Sequence, residues 1–132
     1  MVLLPVTLAA AAAAFLVNMW LGWRVIAARR VAKVSIGDGG DEGVLRRMRA
    51  HSNFAEYAPV FLVLLAALEL AGANRTLLLA AAVAFTLARV AHGIGMDGRA
   101  LTRFRVAGMM TSTFVSLALA GWAAVLALAA LL

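Results

Sequence analysis

Four long apolar stretches dominate this 132-residue chain. They cover about residues 3–28, 54–72, 76–91 and 106–132. The hydrocarbon core of a bilayer is about 30 Å thick, and a helix that spans it needs about 20 apolar residues. The stretches therefore predict an all-α membrane protein, a bundle of four transmembrane helices.

The composition supports this prediction, since 65% of the residues are hydrophobic and only 14% are charged. A soluble domain is about half apolar and about a quarter charged, and a short soluble chain could not bury so much apolar surface in one core. With their polar ends included, the four helices are predicted at about residues 3–28, 44–72, 76–95 and 101–132. They use up the chain, which is therefore predicted to be one domain over residues 1–132.

The first apolar stretch resembles a signal peptide only in its position. A signal peptide carries positive charge before its apolar segment, whereas the first charged side chain here is Arg24, and further basic residues follow it. We therefore expect a retained first helix.

The distribution of basic residues predicts the orientation. Seven arginines and lysines lie between Arg24 and Arg49, and Arg99, Arg103 and Arg105 follow the third helix, whereas the second connection carries only Arg75. The positive-inside rule places the first and third connections in the cytoplasm, so both termini are expected outside it. Because the net charge of +6 collects at one membrane face, it suits anionic lipid headgroups and gives no indication of nucleic acid.

Several polar residues have expected structural roles. Asp38 or Asp41 is a candidate N-cap for the second helix, and Asn74 for the third. Glu69 is expected at the membrane interface near Arg75. Asn18 is expected to bond another helix.

The chain contains no cysteine, so any thiol chemistry requires a thiol from a substrate. His51, His92 and Glu56 do not have the spacing of a known metal motif, and no metal site is predicted.

A polar stripe enters the second helix at its basic end. Arg49, Asn53 and Glu56 fall at i, i+4 and i+7 and therefore share one helix face. Such groups at a membrane helix are costly unless they meet a partner or a polar cavity. Two interpretations remain open: a structural ladder between helices, or a ligand site.

A second stripe lies on the third helix, where Arg89, His92 and Met96 fall at i, i+3 and i+7. Arg89 needs a counter-charge, and Glu56 is the candidate. This pair is either purely structural or part of a functional site.

Residues 49–59 (Arg-Ala-His-Ser-Asn-Phe-Ala-Glu-Tyr-Ala-Pro) resemble the second-helix signature of the MAPEG superfamily, the membrane-associated proteins in eicosanoid and glutathione metabolism. Residues 25–30, at the end of the first helix, are similar to the same superfamily. Residues 34–40 resemble the following loop in its small bacterial inner-membrane branch.

This resemblance implies a homotrimer in the bacterial inner membrane, with glutathione as co-substrate in a cleft between subunits near the cytoplasmic face. It assigns eight residues to glutathione binding: Arg29, Arg49, His51, Asn53, Glu56, Tyr57, Arg89 and His92. Arg30 and Arg103 take the catalytic positions, and Arg103 falls on the arginine that activates the thiol. A short gap would move that role to Arg105.

The function implied by the resemblance is a glutathione transferase or peroxidase that acts on lipophilic electrophiles. The alternative is a non-catalytic protein that binds lipid or a partner, because His92 and Met96 stand where relatives carry tyrosines. A transporter is disfavoured, since the polar residues cluster at one face and do not line a path across the membrane.

Overall fold

The computed structural model describes residues 3–98 and 102–132, which form four helices: α1 (Pro5–Ala32), α2 (Glu42–Leu70), α3 (Arg75–Gly95) and α4 (Arg103–Leu131). All four are long and apolar enough to cross a membrane, which confirms the predicted fold class. Two features of the sequence analysis lie outside the described residues. They are the expected start of the last helix at residue 101 and Arg99, which was used to predict the orientation in the membrane.

The helices alternate in direction, so α1 and α3 end where α2 and α4 begin. Most of the basic side chains lie at this end of the bundle, which we call the basic end. The other end contains the start of α1, the turn from α2 to α3 and the end of α4, and we call it the opposite end.

Side-chain caps begin three of the four helices. The Asp41 carboxylate accepts a 2.8 Å hydrogen bond from the Val44 amide at the start of α2, and Asn74 accepts from two amides at the start of α3. Both caps were predicted from the sequence. At the start of α4, Thr102 Oγ1 accepts from the Arg105 amide and also donates to the Gly95 carbonyl, which ties α4 to the end of α3.

The start of α1 depends on Glu69, from α2. Its carboxylate accepts from the Val6 amide at 3.1 Å and from the Thr7 amide and hydroxyl at 2.8 Å each. The side chain is only 6% exposed. The expected position of Glu69 at the membrane interface stays a prediction, and its side chain is turned towards α1. The first amides of a helix have no partners within it, and α1 has no side-chain cap from its own N-cap residue, so the carboxylate of α2 satisfies them.

The core lies between α1, α2 and α3. It contains Leu21, Leu65 and the stacked rings of Phe61 and Phe85, whose centroids are 3.9 Å apart. The large apolar side chains on the outside of the bundle, such as Phe114, are exposed, as expected for a surface that meets lipid and not water.

Two glycines bring α4 against α3 at the basic end. A Cβ atom added to Gly108 would lie 2.6 Å from the His92 amide nitrogen, and one added to Gly95 would lie 2.7 Å from Arg105 Cα. No side chain fits at either position. Small residues permit such close approach in membrane bundles, and here it sets Arg105 directly beside the last turn of α3.

Candidate functional site

A polar pocket of about 270 Å³ opens at the basic end between α2, α3 and α4. We call it the central pocket. It is lined by Arg49, Ser52, Asn53, Glu56, His92, Met96, Arg105 and Met109.

One wall of the central pocket is the predicted stripe of α2. Arg49, Asn53 and Glu56 all line the pocket, as their helical spacing required. Ser52 joins them and donates a 3.2 Å hydrogen bond to Glu56 Oε1. The stripe thus presents a guanidinium, an amide and a carboxylate on one surface, and a ligand with both negative and positive groups fits such a surface.

Arg89 lies behind this wall and is 1% exposed. Its guanidinium donates to Ser112 Oγ of α4 at 3.1 Å and to Asn53 Oδ1 of α2. Within residues 3–98 and 102–132 it forms no ion pair with Glu56, so the expected pairing of these two side chains is wrong. Asn53 is the nearer polar group, since it lies one helical turn before Glu56 on the same stripe.

The bond from Arg89 determines how Asn53 is presented. Asn53 Oδ1 is occupied by the guanidinium, so the Nδ2 hydrogens are left for the pocket. An asparagine amide carries two donors and one acceptor oxygen. The central pocket therefore receives a hydrogen-bond donor from Asn53, next to the cation of Arg49, and this combination suits a carboxylate.

The opposite wall combines α3 and α4. His92 and Met96 come from the last turns of α3, and Arg105 and Met109 come from the first turns of α4. His92 Nδ1 lies 3.3 Å from the Arg105 carbonyl oxygen and can donate to it, which leaves Nε2 of the ring as an acceptor. The thioethers of the two methionines make the remaining surface apolar and polarizable.

Arg103 and Arg105 are placed differently. The Arg105 side chain lines the central pocket, whereas Arg103 is exposed outside it, with its guanidinium 5.5 Å from the Phe104 ring centroid. The two residues are two positions apart and so point about 200° away from each other around the helix. Only one of them can face α3.

His51 does not reach the central pocket. Its Nε2 lies 2.9 Å from Asn18 Oδ1 on α1, so the expected bond of Asn18 to another helix is confirmed. Tyr57 lies in the middle of α2 and is exposed, with the Arg89 guanidinium 5.5 Å from its ring centroid. His51 and Tyr57 thus face in different directions from the stripe.

Arg29 and Arg30 lie apart from the central pocket. They line a second cavity of about 410 Å³ at the end of α1, together with Lys33 and three neighbours. We call it the terminal pocket. Arg29 Nε donates to the Gly37 carbonyl at 3.0 Å, which fixes the loop between α1 and α2. Within one chain, Arg29 and Arg30 therefore do not line the same pocket as the stripe of α2.

Sequence reasoning missed Ser52 on α2 and three contributors from α4. Ser112 is fully buried and accepts from Arg89, Met109 lines the pocket, and Gly108 lets α4 approach α3. A signal was present, because these residues lie three, four and seven positions after Arg105 and so share its helix face. The apolar character of α4 obscured that stripe.

The described residues include no group of three or more histidine, cysteine, aspartate or glutamate side chains that could hold a metal ion. The side chains of the central pocket themselves offer charge complementarity and hydrogen bonding, through Arg49, Asn53, Glu56 and Arg105.

Comparison with known proteins identifies relatives of the chain. A sequence model described as the MAPEG family matches residues 7–125. The inner membrane protein YecN of Escherichia coli strain K12 is 31% identical over 94 residues, which are 71% of each chain. YecN of Escherichia coli O6:H1 matches to the same extent.

Proposed function

The chain belongs to the MAPEG family, and from that membership and the lining of the central pocket we propose that it binds glutathione and transfers its thiol to lipophilic electrophiles. The protein is an integral membrane protein, with four spanning helices and an inner-membrane relative. The observation that carries the proposal is the meeting of Arg49, Asn53, Glu56 and Arg105 in one pocket.

The charges of this lining complement those of glutathione, which has two carboxylates and one ammonium group. Arg49 and the Asn53 amide offer donors to a carboxylate, and Glu56 offers an acceptor to the ammonium. Hydrogen bonds between ionised groups are about twice as strong as neutral ones. A pocket with two arginines and one glutamate therefore favours such a tripeptide over a simple anion.

Arg105 is the residue to which we assign thiol activation. A cation next to a thiol lowers the pKa of that thiol below its ordinary value of about 8.5 and so raises the thiolate fraction at neutral pH. An arginine does this without giving up its own proton, because the guanidinium group stays protonated at neutral pH. When bound, glutathione supplies a thiolate whose sulfur bonds to the electrophile while the leaving group takes the displaced electron pair.

The central pocket of one chain measures about 270 Å³. Most ligand sites are larger, at about 300–1,000 Å³. We propose that a second copy completes it, as the homotrimer of the family would allow. Arg29 and Arg30 of a neighbouring copy are the proposed additional cations. Within one chain these arginines line the separate terminal pocket and lie apart from the central pocket. The positive-inside rule predicts that this site faces the cytoplasm.

The alternative function is that of a non-catalytic protein that binds lipid or a partner, and Met96 favours this alternative. This side chain lines the central pocket where relatives offer a tyrosine hydroxyl, and a thioether donates no hydrogen bond. Under this alternative the central pocket still binds a ligand, but no thiol conjugate is formed.

Glutathione binding to the detergent-purified protein, measured by calorimetry, tests the proposal. We expect saturable binding that Arg49→Ala weakens strongly and Glu56→Ala weakens about fivefold, with Arg75→Ala at the opposite end of the bundle as the control. Turnover with a panel of lipophilic electrophiles then separates the transferase from the non-catalytic alternative. A folded protein that does not bind glutathione would contradict the proposal.

A further inference from the structure

The central pocket contains an imidazole that the assignment of thiol activation to Arg105 does not use. Of the two histidines in the chain, His92 lines this pocket, whereas His51 bonds Asn18 on α1. His92 is only 3% exposed, so the pocket is the route by which a ligand reaches its ring. An imidazole at such a place can accept a proton as well as bind.

The backbone of α4 determines which nitrogen of the His92 ring is available. Nδ1 lies 3.3 Å from the Arg105 carbonyl oxygen. A carbonyl oxygen only accepts, so Nδ1 carries the hydrogen of the neutral ring. Nε2 has no hydrogen-bond partner in the part of the chain that the structure describes. The lone pair of Nε2 is therefore left for a ligand in the central pocket.

The close approach of α4 to α3 holds the ring in this orientation. A Cβ atom added to Gly108 would lie 2.6 Å from the His92 amide nitrogen and 2.9 Å from its Cα, so no side chain separates the two backbones. The Arg105 carbonyl oxygen has two lone pairs, and the helical hydrogen bond within α4 uses one of them. The second lone pair accepts from His92. The orientation of the ring thus follows from the fold and needs no bound ligand.

The proton that leaves the thiol of glutathione goes either to water or to a base in the pocket. Arg105 favours the thiolate but cannot take up the proton, since a guanidinium has no acceptor. Glu56 is a carboxylate, which is a far weaker base than an imidazole, and it accepts from Ser52. His92 lies on the same wall as Arg105 and is the base beside the activated sulfur.

Charged groups surround the ring on each helix that packs against it. They are Arg24 of α1, which donates to the neighbouring Gly93 carbonyl, Arg49 and Glu56 of α2, Arg89 of α3 and Arg105 of α4. An imidazolium among these arginines needs an anion beside it. The thiolate formed by the same proton transfer is that anion, so the ring carries the proton in the complex and not in the free protein.

We propose that His92 is the base that takes the thiol proton of bound glutathione. The S–H bond breaks, its electron pair stays on the sulfur beside Arg105, and the proton forms a bond to Nε2. When the sulfur adds to an activated double bond, the imidazolium returns the proton to the carbon that gains the electron pair. When a leaving group departs instead, the proton passes to water through the mouth of the pocket. This assignment rests on the proposed binding of glutathione.

Two measurements on the detergent-purified, full-length protein test the proposal. Calorimetry in buffers that differ in their enthalpy of ionisation counts the protons released on binding, and the ultraviolet absorbance of the thiolate counts the thiolates formed. S-methylglutathione is the matched ligand, because it has the same charged groups but no thiol proton. A free thiol has a pKa of about 8.5 and is mostly protonated at neutral pH. For the unaltered protein we expect a thiolate signal with glutathione, and equal proton release for the two ligands.

The variant His92→Asn removes the base and keeps the contact with α4, because its amide nitrogen can take the place of Nδ1 and donate to the Arg105 carbonyl. Each thiolate that it forms should release about one proton to the buffer, so its thiolate signal should grow with pH. The signal of the unaltered protein should stay level while the ring of the free protein is neutral. His51→Asn, the same change at the histidine outside the central pocket, should behave as the unaltered protein does.

A thiolate signal with about one released proton in the unaltered protein would overturn the assignment of His92, as would glutathione binding without a thiolate. The comparison of the two ligands on the unaltered protein is decisive even if His92→Asn fails to fold. Absence of glutathione binding is a different result, because it would contradict the proposed function, and this assignment would fall with it.

Discussion

The two ends of the bundle use their charged groups in different ways. At the opposite end, the single carboxylate of Glu69 accepts three hydrogen bonds from Val6 and Thr7 and is buried in doing so. At the basic end, Arg49 and Arg105 line an open pocket, and the described residues give neither of them a carboxylate partner. Groups that are satisfied internally stabilise a fold, whereas groups held at a cavity remain available to a ligand. The comparison predicts that loss of the Glu69 carboxylate at the opposite end affects stability, and that loss of a charged group lining the central pocket affects binding.

The largest effect is expected from Glu69→Ala. The substitution leaves the amides of Val6 and Thr7 without an acceptor, and each buried unsatisfied group costs about 1–3 kcal/mol. We expect the free energy of unfolding to fall by about 2–4 kcal/mol, measured by denaturant titration in detergent. Glu69→Gln keeps one acceptor oxygen and should lose about half as much. Loss of glutathione affinity in a folded Glu69→Gln protein would contradict the assignment of a purely structural role to Glu69.

The second largest effect is expected at the contact between α3 and α4. Two glycines of α4, Gly108 and Gly121, provide a matched pair of substitutions for this test. Gly108→Ala would place a methyl group against the His92 amide, whereas Gly121 has nothing within 4 Å of its added Cβ. Overpacking costs about 1–3 kcal/mol, so Gly108→Ala should lower the unfolding midpoint and weaken ligand binding by moving Arg105. Gly121→Ala should do neither. Equal midpoints for the two variants would show that the close approach of α4 is not required.

A smaller effect, confined to binding, is expected from Arg105→Gln. A hydrogen bond to a charged group contributes about 1.5–3 kcal/mol, so glutathione affinity should fall about tenfold or more with no change in the unfolding midpoint. Arg103→Gln is the matched control, because Arg103 lies two positions away and outside the pocket. A larger loss in Arg103→Gln than in Arg105→Gln would return the thiol-activating role to Arg103.

The smallest effect is expected from Glu56→Gln, because this carboxylate is exposed and exposed ion pairs contribute about 1 kcal/mol at most. The affinity for glutathione should fall about fivefold. A glutathione analogue without its amino group should bind the unaltered protein and the variant equally. If the variant weakened the analogue as much as glutathione, Glu56 would not be the partner of the ammonium group.

The sequence was sufficient for the fold, because apolar length alone determines how many helices can span a bilayer. It also gave the caps at Asp41 and Asn74 and the shared face of Arg49, Asn53 and Glu56, since these depend on local spacing. Local spacing carries no information about which helix lies opposite.

The one pairing that the sequence analysis predicted wrongly, and the contacts that it did not predict, all concern partners on another helix. The partners of Arg89 are Asn53 and Ser112 instead of Glu56, and Glu69 turned out to be a cap for α1. His51 faces Asn18 and not the central pocket. Each of these contacts depends on how the helices are rotated against one another, and in this bundle that rotation follows from close approach at positions such as Gly108.

Hydrogen–deuterium exchange with and without saturating glutathione tests the central claim most directly, because it reads both ends of the bundle in one experiment. We predict slower amide exchange in residues 49–57 of α2 and 102–109 of α4, and unchanged exchange in residues 5–10 and 66–78 at the opposite end. The same exchange at the basic end with and without glutathione, in a folded protein, would contradict the claim that this end is the ligand site.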